Sequence, residues 1–206
     1  MLKNIQKSLY LAAIIGVIVG TNITVQKIGD WHYNTVQNGT LFDLCHLYLP
    51  DIHQYQWLIQ IIPVALFTFA FMQWNGLTIL REFFWMFLLL MVIRTLTIIG
   101  TILPKHETCI TDTNAESSWF FVINGGCYDK IFSAHTSAVV LLGLLLVKYK
   151  DIGWPMFWFI GLSQGALILL TRAHYTVDVV LAFIISYLIY DGDYKGFIKY
   201  FKGIGK

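Results

Sequence analysis

The stretch Phe83-Phe-Trp-Met-Phe-Leu-Leu-Leu-Met-Val-Ile-Arg94-Thr-Leu-Thr-Ile-Ile-Gly-Thr-Ile-Leu103 contains one ionisable side chain, Arg94, and is otherwise almost wholly apolar. At the helical rise per residue, a run of this length reaches about 30 Å, the thickness of a bilayer's hydrocarbon core. Five further apolar runs accompany it: Ser8 to Val25, Trp57 to Gln73, Ile131 to Val147, Ile152 to Leu170, and Val177 to Tyr190. The last is short and is expected to begin near His174. Composition agrees, at 57% hydrophobic, 16% aromatic and 13% charged with a mean hydropathy of +0.64, and excludes a water-soluble globule. The expected fold is an all-α integral membrane protein, a six-transmembrane-helix bundle forming a single membrane domain over residues 1–206. No separate soluble domain is expected, and no internal repeat of the kind found in transporters is visible.

Six spans put both termini on one side, and the cations choose which. Lys and Arg are retained on the cytosolic side of a membrane. Cytosolic termini place Lys3, Lys7, Arg81, Lys148, Lys150, Lys195, Lys199, Lys202 and Lys206 inside, against Lys27, Lys105, Lys130 and Arg172 outside. The acids divide the other way. Asp30, Asp43, Asp51, Glu107, Asp112, Glu116, Asp129 and Asp178 fall outside, and only Glu82, Asp151, Asp191 and Asp193 inside. Both termini are therefore expected to be cytosolic. Lys3 and Lys7 before an apolar run resemble a secretory signal, but no small-x-small cleavage site precedes the polar residues after Val25, so a retained signal anchor is expected. Gly16 and Gly20 have the spacing for close helix contact, within the bundle or, as a homo-oligomer, between copies.

In this topology His32, His46, His53, His106, His135 and His174 all lie on the outer side or at outer helix ends. His135 and His174 begin the fourth and sixth spans, so they share a depth just below the outer headgroups. The segment Arg172-Ala-His174-Tyr-Thr-Val-Asp178 sets an imidazole and a carboxylate one helical turn apart, so Asp178 can hold one ring nitrogen and leave the other to act as nucleophile or base. Alone, such a pair is equally a packed or ion-paired histidine. Arg94 lies about 15 Å along its helix from Pro104. It serves either a substrate anion or a structural ion pair, with Asp129 as candidate partner.

Four blocks carry a family resemblance: Leu49-Pro50-Asp51; Arg94 through Leu103-Pro104; Cys127-Tyr-Asp129-Lys-Ile-Phe-Ser133-Ala-His135-Thr136; and His174-Tyr-Thr-Val-Asp178. In order and spacing they resemble the membrane core of the sphingomyelin synthase and sphingomyelin synthase-related group, within the lipid phosphate phosphatase superfamily, over about Leu49 to Tyr190. The sterile-alpha-motif extension of some members is not expected. Three positions depart from the pattern. Tyr128 and Ala134 stand where glycine is usual, and Lys130 where an apolar or aromatic residue is frequent; Cys127, Asp129, Ser133 and His135 keep their spacing.

The resemblance implies a transferase that moves a phospho-headgroup from a glycerophospholipid to ceramide and releases diacylglycerol through a phosphohistidine. His174 would be the nucleophile, Asp178 its orienting carboxylate and His135 the acid and base. Arg94, Asp129, Lys130, Ser133 and Arg172 are the candidate substrate-binding residues. The implied partners are a phospholipid donor, ceramide or diacylglycerol, and the surrounding membrane lipids. No nucleic acid, cofactor or metal is expected: there is no HExxH or clustered Cys/His motif, and the outer carboxylates lack chelating spacing. The expected location is a secretory-pathway membrane (Golgi, endoplasmic reticulum or plasma membrane), with the active site on its luminal or extracellular side.

A phospholipase C-like enzyme or lipid phosphate phosphatase of the same superfamily is the alternative. A phosphomonoester dianion calls for several cations, but the chain has no Arg-Pro dipeptide and Ile168 stands six residues before His174, where the superfamily's phosphatases carry Arg. That favours a phosphodiester, whose single charge needs fewer cations. A channel or transporter is disfavoured because polar groups crowd the outer third of the spans. The headgroup stays open among choline, ethanolamine and inositol. Trp119, Phe120 and Phe121 read either as a cage for a quaternary ammonium or as an interfacial belt. Cys109 and Cys127 flank one loop and either form a disulfide or remain free thiols. The basic, aromatic tail from Asp191 to Lys206 reads as an amphipathic segment on the cytosolic leaflet or a solvated terminus.

Overall fold

The computed structural model describes residues 2–35, 41–104, 128 and 130–192, and every regular element among them is helical. Helix α1 spans Leu2–Thr35 and α2 is a short turn, Leu44–Tyr48. A 3-10 segment over His53–Gln60 continues into α3, Ile61–Met72, and α4 covers Gly76–Gly100. Three helices complete the set: α5 (Ala134–Lys148), α6 (Trp154–Leu170) and α7 (Thr176–Asp191). Each of the six apolar runs falls on a helix. Three stretches, Leu11–Gly29, His53–Met72 and Gly76–Gly100, are long and apolar enough to cross a membrane, whereas α5 and α6 are apolar but shorter.

The helix limits have local causes. The change from 3-10 to α-helix at Ile61 coincides with Pro63, whose missing N–H is tolerated in a first turn. Helix α5 starts later than Ile131 because Ser133 caps it: its Oγ accepts from Thr136 N at 3.2 Å. Helix α7 starts at Thr176, leaving His174 outside the helix.

The chain divides into two compact units, Asp43–Leu90 with Phe132–Ile198, and Met1–Phe42 with Met91–Ile131 and Lys199–Lys206. In the first of these α5 is the central element. Val139 through Leu146 are all buried, and α3, α6 and α7 pack around them. Against lipid tails as apolar as leucine, such a core is held by close packing more than by transfer from water. Gly143 permits that closeness, since a Cβ there would lie 2.9 Å from the Phe157 ring. Phe67 meets Phe83 and Phe84 edge-on and ties α3 to α4.

In the other unit Val25, Ile98 and Tyr128 form a buried cluster with Ile102 against it. Tyr128 lies against Gly29, where a Cβ would come within 2.4 Å of the ring. A Cβ at Gly16 or Gly20 would meet nothing within 4 Å among the described residues.

Candidate active site

The site is built on the loop from Thr171 to Tyr175, between α6 and α7. Helix α6 ends in a Schellman motif: Ala173 N donates to Ile168 O and Arg172 N to Leu169 O, at 3.1 and 3.2 Å. Glycine is usual at the left-handed position of this motif. Arg172 occupies it instead, with φ of 57°, at a cost of about 1 kcal/mol. The strained residue places its side chain: Nη2 donates to Leu49 O at 2.8 Å and Nε stands 3.7 Å from Asp51 Oδ2. The Leu49-Pro50-Asp51 block therefore holds Arg172. Its Nη1 is buried and makes no hydrogen bond among the described residues, which leaves a charged donor for an anion.

His174 and Asp178 come together, but not as two positions on one helix face. Asp178 sits in the first turn of α7 and reaches back beyond it, accepting from Tyr175 N at 3.0 Å and standing 3.5 Å from His174 Nδ1. The carboxylate is 1% exposed and the histidine 8%, so the pair is shielded from bulk water. Asp178 Oδ1 has no hydrogen bond among the described residues.

His135 belongs to the same end of the helices. Ser133 N donates to Asp178 O at 3.2 Å, fastening the start of α5 to the first turn of α7 two residues before His135. Gln60, at the junction of the 3-10 segment and α3, places its amide nitrogen 2.8 Å from His135 Nε2. Phe132, just before the cap, also has positive φ, 27°. The backbone leading into each histidine thus passes through a sparsely populated conformation, a cost that accumulates at functional sites.

Of the other candidates, Ser133 is fully buried with its hydroxyl committed to capping α5. Arg94 and Lys130 are buried in the other unit, and Asp129 lies outside the described residues, as do Cys109, Cys127, Trp119 to Phe121 and the tail from Asp193. No cluster of metal-ligating side chains occurs among the described residues.

Sequence reasoning missed Asp43, His46 and Gln60. Asp43 caps α2 by accepting from His46 N at 3.0 Å, and it accepts from Thr176 N at 2.6 Å and Thr176 Oγ1 at 2.8 Å. Burial pushes its carboxyl pKa up, but the hydrogen bonds from Thr176 and His46 outweigh burial and hold it below the usual value. Asp51 behaves alike: burial raises it, while His53 N–H and ring, then the Arg172 charge, bring it below.

Residues 126–195, which carry both histidines and Asp178, match the family model described as PAP2 superfamily C-terminal. The resemblance drawn from the four sequence blocks is borne out, at low identity, by relatives named as ceramide phosphotransferases. The chain is 37% identical over 59 residues to phosphatidylinositol:ceramide inositolphosphotransferase 3 of Arabidopsis thaliana, covering 28% of this chain and 20% of that protein. It is 29% identical over 128 residues to phosphatidylcholine:ceramide cholinephosphotransferase 2 of Mus musculus, covering 52% of this chain and 35% of the relative. The chain thus spans about a fifth to a third of the length of the curated relatives it matches.

Proposed function

We propose that the chain is a phosphotransferase that moves a phospho-headgroup from a glycerophospholipid to ceramide. The observation that carries this reading is the buried His174–Asp178 pair at 3.5 Å, beside a guanidinium with one buried nitrogen that is uncommitted among the described residues. Asp178 holds Nδ1, so Nε2 of His174 attacks phosphorus. An N–P bond forms, the P–O bond to diacylglycerol breaks, and His135 protonates the departing alkoxide. His135, now neutral, takes the proton of the acceptor hydroxyl, whose oxygen attacks phosphorus as the N–P bond breaks. Arg172 Nη1 balances the single charge of the diester and the charge that builds on its oxygens. Ser133 acts through position, as the cap that sets the start of α5, and Gln60 orients the His135 ring.

The proposed setting is a six-span membrane domain with cytosolic termini and the site on the luminal or extracellular side. The test is to incubate purified protein with labelled phosphatidylcholine, phosphatidylethanolamine or phosphatidylinositol, with and without ceramide. Diacylglycerol and a new sphingophospholipid are expected in equal amounts, and His174→Ala, Asp178→Asn or His135→Ala should each lower the rate by at least about 100-fold. Diacylglycerol with a free phospho-headgroup, even with ceramide present, would make water the acceptor and the protein a hydrolase. No diacylglycerol from any donor would overturn both readings.

A further inference from the structure

We propose that Asp43 and His46, on and just before α2, are positioning residues that clamp the backbone between His174 and Thr176 and so set the His174–Asp178 pair; this rests on the phosphotransfer proposed above. The peptide unit joining His174 to Tyr175 is held at both ends. Its carbonyl accepts from His46 Nε2 at 3.0 Å, and its N–H donates to Asp178 Oδ2 at 3.0 Å. Because a carbonyl only accepts, Nε2 of His46 carries the proton. The next peptide N–H, that of Thr176, is held by Asp43 Oδ2, while Asp43 Oδ1 takes both the Thr176 hydroxyl and His46 N.

Asp43 therefore does two things with one carboxylate: it caps α2, which carries His46, and it anchors the first residue of α7. The clamp has its own footing. Cys45 and Leu49 pack against Ile168, Leu169, Ala173 and Val179, and the His46 ring lies 5.5 Å from that of Tyr175. If His46 lets go, the His174–Tyr175 peptide can rotate, and its N–H then no longer holds Asp178 Oδ2 beside His174 Nδ1. Neither residue touches the reacting atoms, so the loss should fall on turnover and not on substrate affinity.

The test compares the full-length protein with His46→Ala, His46→Gln and His46→Glu. Glutamine offers an N–H donor at the same reach, whereas glutamate has the same shape but offers oxygen to a carbonyl. His46→Ala and His46→Glu should lower kcat at least about tenfold with KM within about twofold, and His46→Gln should stay within about threefold of wild type. A glutamine variant as slow as alanine, an unchanged alanine variant, or a loss confined to KM would overturn the clamp. A second readout needs no turnover: carbethoxylation of His174 by diethyl pyrocarbonate, followed by peptide mass spectrometry. His174 should react about fivefold faster in the alanine and glutamate variants than in wild type and the glutamine variant. Equal rates in all four would overturn the clamp. If wild type turns over no phospholipid, the phosphotransfer reading fails by itself while this arm still decides the positioning.

Discussion

Arg172 combines strain, burial and charge in one side chain, which makes it sensitive to small changes. Its fork reaches the Leu49 carbonyl and the Asp51 carboxylate while a third nitrogen is uncommitted among the described residues. Lysine has a single ammonium and cannot hold both protein partners and an anion at once. Arg172→Lys is therefore expected to keep the fold but raise KM for the phospholipid donor about tenfold, measured by initial rates against donor concentration. Acid behaviour follows from Asp43. Its folded pKa is lowered, so its contribution to stability is fully present above the unfolded carboxylate value, about 3.9, and is lost as pH falls through the lower folded value. The difference in thermal midpoint between wild type and Asp43→Asn should be constant from pH 7 to 5 and shrink below about pH 4. A difference that closes instead near pH 6 would mean that another group carries the linkage.

Two helix ends use the same device with different side chains. Helix α5, like α6, closes with a left-handed non-glycine residue: Lys150 has φ of 65°, and Asp151 N donates to Leu146 O. Lys150 is exposed and lies at the opposite end of α5 from Ser133, so Lys150→Gly should relieve strain, add about 1 kcal/mol of stability and leave turnover intact. Arg172→Gly relieves the same strain yet should lose most activity. If both glycine variants are equally active, Arg172 has no role at the phosphate. Gly29 offers a second contrast. Gly29→Ala should cost about 1–3 kcal/mol with Tyr128 present and almost nothing once Tyr128→Gly is introduced, measured by thermal unfolding in detergent. The length of the apolar runs located all six helical stretches, and the His174–Asp178 pairing was readable from spacing. The departure of His174 from the helix was not, because it depends on Asp178 reaching back to cap Tyr175. Asp43, His46 and Gln60 were also hidden. Asp43 meets Thr176 across 133 residues and Gln60 meets His135 across 75, and neither contact leaves a local pattern.

At the scale of the molecule, the unit carrying the site has chemically different ends. Its site end gathers Asp43, Asp51, His135, Arg172, His174 and Asp178, while the far end of α5 carries Lys148, held by Glu82 at 2.5 Å, and Lys150. Cations are retained on the cytosolic side during insertion, which supports the proposed orientation, with the far end cytosolic and the site end toward the lumen or exterior. The short apolar lengths of α5 and α6 fit this arrangement, because Phe132 and Ser133 before α5 and Thr171 to Tyr175 after α6 are buried. Backbone that is not helical is tolerated at such depth only where protein surrounds it. A cysteine introduced at exposed Tyr48, in a background with Cys45, Cys109 and Cys127 replaced by serine, should react with a membrane-impermeant maleimide on intact cells after delivery to the plasma membrane. One introduced at Lys150 should react only after permeabilisation. The reverse pattern would put the histidines in the cytosol and the headgroup exchange on the inner leaflet. Labelling of both positions from outside would mean that α5 does not cross, and with it the six-span arrangement would fall.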